Sequence, residues 1–242
     1  MIATIARAFE RSLLGRRRTL LVVLFAAIPV LIAAIVRVGG ETSDAVGLTA
    51  DLLDAVVVRT VLPIVALILG SAVLGSDLED GTAVFLLVKP IERWRIVVSA
   101  YLVAGGLTAA LVGLVTFVAG MIVGAGRGGE EVAVAFTVAV VVGSLLYTAV
   151  FLALSIVTSR ALIVGLAYVL IWEGLLAGLL EGTQLLSVRQ YTLAIAHLIA
   201  GGDAIAVTLD GTTAGGLSIV VLAVALVLAT RRLAVFEVRA SD

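Results

Sequence analysis

Residues 132–158 read VAVAFTVAVVVGSLLYTAVFLALSIVT, and no charged side chain interrupts them. A helix rises about 1.5 Å per residue, so about 20 apolar residues cross a hydrocarbon core of about 30 Å. This stretch is long enough to cross and too uniformly apolar for a barrel strand, which alternates apolar and polar residues. Five more stretches are long and apolar enough: 19–36, 55–75 with the one charge Arg59, 96–124, 161–180 with Glu173 inside it, and 213–230. Composition agrees. Of 242 residues, 62% are hydrophobic and 14% charged, against about 45–50% and about 25% in soluble domains. Mean hydropathy is +1.26. The expected fold is an all-α integral membrane protein with six transmembrane helices in one domain, 1–242.

The placement of positive charge sets the expected orientation. With the N-terminus in the cytoplasm, Arg7, Arg11, Arg16, Arg17, Arg18, Lys89, Arg93, Arg95, Arg160, Arg231, Arg232 and Arg239 are inside. Only Arg37, Arg59, Arg127 and Arg189 fall in the outer half or outside. Both termini are then cytoplasmic, in the cell membrane. The acidic residues Glu41, Asp44, Asp51, Asp54, Glu130, Glu131, Asp203 and Asp210 gather on the outer side. The first span is longer than a signal-peptide core of about 7–15 residues and runs through Pro29, so it reads as a retained span. Cysteine is absent, which excludes disulfides and thiolate metal sites.

Residues 1–18 read as an interfacial helix. Ile2, Ile5, Phe9 and Leu13 recur at spacings of three and four, with Arg7, Glu10 and Arg11 on another face. The outer loop 39–54 is acidic with some helical patterning. The outer stretch 181–210 contains Leu185, Leu186, Val188, Tyr191, Leu193, Ile195 and Leu198, too many apolar residues for a free loop. It is expected to lie on the outer surface or dip back among the helices. No internal repeat of the sort that marks many secondary carriers is visible.

The segment 76–95 joins the second and third spans on the cytoplasmic side. Asp77, Glu79 and Asp80 precede Gly81 and Thr82. Glycine allows a sharp turn, and threonine caps a helix whose free N–H groups also favour the carboxylates. Residues 83–88 then form a short apolar helix that Pro90 stops. Arg93, Trp94 and Arg95 suit a headgroup-level anchor. An apolar helix displayed at the membrane face calls for a partner protein.

This segment resembles the loop after the second span of ABC type-2 transporter permeases. Their pattern runs from an acidic residue through Glu-x-Gly-Thr and paired leucines to x-Pro-Ile-x-Arg. Here Asp77, Glu79, Gly81, Thr82, Leu86, Leu87, Pro90, Ile91 and Arg93 match it, with Asp77 where many members carry Glu. The N-terminal amphipathic helix, the turn at Thr158, Ser159 and Arg160, and the Trp172-Glu173-Gly174 element extend the resemblance over most of the chain. It implies that residues 83–88 are a coupling helix docked into a separate cytoplasmic ATPase. Asp77, Glu79, Asp80, Gly81, Thr82, Phe85, Leu86, Leu87, Pro90 and Arg93 would carry that contact. It further implies export as the direction of transport. The chain has no G-x-x-x-x-G-K-[ST] loop, so ATP and its Mg would belong to that ATPase. This chain would bind no cofactor and would not itself be an enzyme. Two copies would complete a pore as a homodimer among membrane lipids, with no role for nucleic acid.

Arg59 and Glu173 are the charges most clearly inside expected spans. Each is about 20–24 Å from the cytoplasmic end of its span at 1.5 Å per residue. They are expected either to form an ion pair between the second and fifth spans or to line the translocation path. Gly120 and Gly124, and Gly174, Gly178 and Gly182, are spaced for close helix packing. His197 reads as packing or headgroup contact, since one imidazole does not make a metal site. A serine-protease reading of Ser144 lacks the glycine pattern around the nucleophile. Asp77-x-x-Asp80-Gly81 resembles the start of the CDP-alcohol phosphotransferase motif. However, Val84 and Phe85 stand where Ala-Arg belongs, and no aspartate follows until Asp203, too few oxygens for a divalent ion. The alternatives to the ATP-driven permease are a carrier not driven by ATP, an assembly factor, or that phosphotransferase.

Overall fold

A computed structural model describes residues 16–39, 44–79, 92–176, 183–201 and 204–235, and all regular structure among them is helical. The first span is α1 (Arg16–Ala26) followed by α2 (Ile28–Val38). The break falls at Ala27, two residues before Pro29, whose missing N–H and ring disfavour an uninterrupted helix. The second span is one long rod. It starts as α3 (Ala45–Leu52), becomes π-helical as π1 (Leu53–Val61) and continues as α4 (Leu62–Glu79). It therefore begins ten residues before the expected start at 55. Asp44 opens it by accepting a 2.8 Å hydrogen bond from Gly47 N–H, so the C-terminal part of the expected outer loop is helix.

The third and fourth spans, α5 (Arg93–Gly124) and α6 (Glu130–Val157), form a tight hairpin. Gly126 and Gly128 turn it with φ of +72° and +85°, angles that side chains with a Cβ rarely adopt. A Cβ on Gly120 would lie 2.6 Å from that of Ala133, and one on Gly124 would lie 2.7 Å from the Gly129 carbonyl carbon. The expected Gly120/Gly124 packing is thus between neighbouring helices of one chain. Gly174 is exposed and meets no neighbouring helix at that distance. Gly178 and Gly182 lie outside the described residues.

The fifth span is α7 (Ala161–Ala167) running into a second π-helical segment, π2 (Tyr168–Leu176). Its described part is shorter than the other five crossings, which are each long and apolar enough to span a bilayer. The outer stretch then returns. A 3-10 turn (Thr183–Leu186) leads into α8 (Val188–Ala200), which packs against α6 and α9 (Gly211–Val235), the sixth span. Tyr191, Leu193, Ala194 and Ala196 of α8 are buried, as expected of a segment dipping into the bundle. Helix α6 is the hub, touching α4, α5, α8 and α9. Its Phe136, Tyr147, Phe151 and Leu152 are fully buried, and the Tyr147 and Phe151 rings stack at 5.8 Å.

Residues 1–15 of the expected interfacial helix lie outside the described residues. So do 80–91, which include Asp80, Gly81, Thr82, Phe85, Leu86, Leu87 and Pro90. The backbone of Asp77 and Glu79 belongs to the last turns of α4. At the start of α5, the residues expected to form a headgroup anchor contact one another. Trp94 is exposed and donates to Glu92 Oε2 at 3.1 Å, and the Arg95 guanidinium pairs with Glu92 and lies 5.4 Å from the Trp94 ring centre.

Candidate translocation site

Several polar side chains converge on the N-terminus of α8. Glu173, in π2, is 4% exposed. Its Oε1 accepts from Tyr168 O–H at 3.0 Å and Val188 N–H at 2.9 Å, and its Oε2 accepts from Ser187 O–H. Ser187 is also the N-cap of α8, accepting from Gln190 N–H at 3.3 Å. A carboxylate beside the free N–H groups of a helix start is stabilised by them and by the helix dipole. The buried Tyr147 adjoins Glu173.

A second clamp holds the next residue. Arg189 reaches Asp54, in π1, with a two-pronged contact: Nη2 is 2.8 Å from Oδ2 and Nε is 3.3 Å from Oδ1. The Arg189 side chain is 12% exposed and that of Asp54 is 27%. A planar guanidinium and a carboxylate in this arrangement form a directional, charge-assisted pair. Successive residues of α8 are therefore tied to the fifth span through Glu173 and to the second span through Asp54. Gly143 of α6 completes the seat. A Cβ there would come 2.5 Å from Thr192 Oγ1 and 3.0 Å from Leu62 Cδ2.

The expected ion pair between Arg59 and Glu173 is not formed. Glu173 is satisfied by hydroxyl and backbone donors. Arg59 projects from an exposed face, 54% accessible, with Asp54 3.9 Å away. Arg59 is exposed and Glu173 is buried, so similar depth alone did not make them partners. The sequence reading also missed the Asp54–Arg189 pair, having placed both residues in outer segments. One signal was available: Ser187-x-x-Gln190 has the form of a helix-capping box and marks the start of α8. His197 lies near the other end of α8, its Nδ1 buried without a partner among the described residues.

Long apolar helices joined by buried and half-buried charges define a multi-pass helical membrane protein. The family model described as ABC-2 family transporter protein matches residues 4–238, and the chain belongs to that family. It is thus an ABC transporter permease, a membrane-embedded transport component. A comparison with curated proteins finds no match.

Proposed function

We propose that this chain is the permease half of an ATP-driven exporter, with ATP and Mg bound by a separate ATPase subunit. The family match over residues 4–238 carries this reading. The segment 76–95 is the coupling element, its apolar stretch 83–88 seated in the ATPase and Asp77, Glu79, Asp80 and Arg93 at its edges. Both termini are cytoplasmic.

The translocation path runs beside the second and fifth spans. Arg59 supports this. It stands near the middle of the long apolar rod Ala45–Leu74 and does not face its own bundle. An exposed guanidinium in the outer half of a span favours a protein partner or a water-filled cavity over lipid. A cavity between two copies of the chain supplies it, so the working unit is a homodimer with Arg59 on the shared path. Helix α8 closes the outer end, held by Glu173 and Asp54. The π-helical segments that carry these residues provide places where the spans change register when the seat opens.

The test is co-expression with the ATPase encoded nearest in the genome, followed by affinity purification through the permease. The ATPase is expected to co-purify with the native chain and to be lost with Leu86→Asp/Leu87→Asp, while the variant keeps its melting temperature. Recovery of the native chain with no ATPase overturns the reading in favour of a carrier or assembly factor not driven by ATP.

A further inference from the structure

A crevice of about 660 Å³ opens between the fourth, fifth and sixth spans. It is lined almost wholly by carbon, with Phe151, Leu154, Val164, Val224 and Leu228 among its walls and Arg232 its only charged residue. Val164, Val224 and Leu228 are about half exposed, so the crevice faces outward. Its volume falls in the range of small-molecule sites.

Its dimensions identify the occupant. Along α9 the lining runs from Val220 to Arg232, which at 1.5 Å per residue is about 18 Å. That is close to one leaflet, half of a core of about 30 Å. Arg232 stands at the end of the sixth span on the side of the Thr158–Arg160 turn, because Val157 and Val164, which flank that turn, line the same crevice. An acyl chain therefore fits along the apolar length while the phosphate sits at the guanidinium. Arg232 has no ion pair among the described residues, and the adjacent Arg231 adds charge of the same sign.

We propose that this crevice binds one anionic phospholipid, acyl chain between the fourth and sixth spans and phosphate on Arg232. An apolar void open to lipid fills with hydrocarbon because an empty one forfeits the dispersion contacts of its lining, and basic pockets between helices select anionic headgroups. A second copy fits less well. A two-fold contact through this face brings Arg231 and Arg232 toward their own counterparts. The proposal does not depend on the transport reading or on which way the chain faces.

The test uses the purified full chain in nanodiscs of mixed phosphatidylcholine and phosphatidylglycerol. Each lipid in turn carries the same photoactivatable acyl chain, and adducts are mapped by peptide mass spectrometry. Phosphatidylglycerol is expected to label the peptides covering residues 150–164 and 220–232 about fivefold more than phosphatidylcholine, as one arginine at a membrane surface allows. Arg232→Gln is expected to abolish that preference. Leu228→Trp, which fills the crevice, is expected to reduce both labels there, while Leu20→Trp on the exposed face of α1 leaves them unchanged. Equal labelling by the two lipids in the native chain overturns the proposal. So does a preference that survives Arg232→Gln, or a disulfide between copies through Val224→Cys in native membranes. If Leu228→Trp does not fold, Arg232→Gln decides alone.

Discussion

The seat of α8 yields a quantitative prediction. Glu173→Ala removes the acceptor for three donors: the Tyr168 and Ser187 hydroxyls and the Val188 N–H. The hydroxyls can turn toward other acceptors. The Val188 N–H is fixed in the first turn of α8 and cannot. Stranding a buried donor costs about 1–3 kcal/mol, and hydrogen bonds to a charged group contribute about 1.5–3 kcal/mol each. The desolvation of a carboxylate, relieved by the substitution, offsets part of this. A net loss of about 2 kcal/mol in the docking of α8 is expected, which is about 30-fold in the opening equilibrium. Hydrogen exchange in nanodiscs reads it directly: amides of residues 188–193 lose about 30-fold protection, while those of the α5–α6 hairpin keep theirs. Glu173→Gln retains a carbonyl oxygen for Val188 N–H and is expected to lose less than about 1 kcal/mol. Unchanged protection of α8 in Glu173→Ala would refute the claim that this carboxyl holds the helix.

The second clamp should respond to geometry as well as charge. Arg189→Lys cannot reproduce the two-pronged contact with Asp54 and is expected to lower thermal stability nearly as far as Arg189→Gln, by about 1–3 kcal/mol, with a double-mutant cycle against Asp54→Asn showing coupling. Gly143→Val pushes into Thr192 and Leu62, and is expected to destabilise the chain by about 1–3 kcal/mol in a detergent melt, whereas Gly106→Ala, with open space around it, stays within about 0.5 kcal/mol. Arg59→Ala should leave the melting temperature nearly unchanged, because its contact is long and exposed, yet alter ATP turnover of the assembled complex. Asp210 begins α9, where the Thr212 hydroxyl and the Thr213 N–H hold its carboxyl below the usual carboxylate range. Its contribution is therefore present above the ordinary carboxylate pKa and fades as pH falls through the lowered one, which exchange at the first turn of α9 would report.

Hydropathy made the spans legible because the membrane demands long apolar helices whatever their neighbours. Charge in the interior was legible for the same reason, and Glu173 proved to be buried with three donors. Its partners were not legible. Pairing Arg59 with Glu173 rested on depth, which does not say which way a side chain faces: Arg59 is exposed and Glu173 is buried. Pro63, just after π1, was a signal of that segment, since a proline in a span frees backbone carbonyls that local π adjustment can satisfy again. The early start of the second span was obscured by Asp51 and Asp54. Those residues looked like loop, but Asp54 is held in the bundle by Arg189, 135 positions away, a distance no local pattern encodes. The return of α8 into the bundle was visible in its apolar residues, whereas the clamps that fix it needed three dimensions.

The chain contains no cysteine, so single cysteines can test the central claim in living cells. Leu86→Cys, in the proposed coupling stretch, and Thr208→Cys, just before the sixth span, are treated with a membrane-impermeant maleimide. The account predicts that Thr208→Cys is labelled on intact cells, and Leu86→Cys only after permeabilisation and less when the ATPase is co-expressed. Labelling of Leu86→Cys from outside, or labelling indifferent to the ATPase, would contradict it.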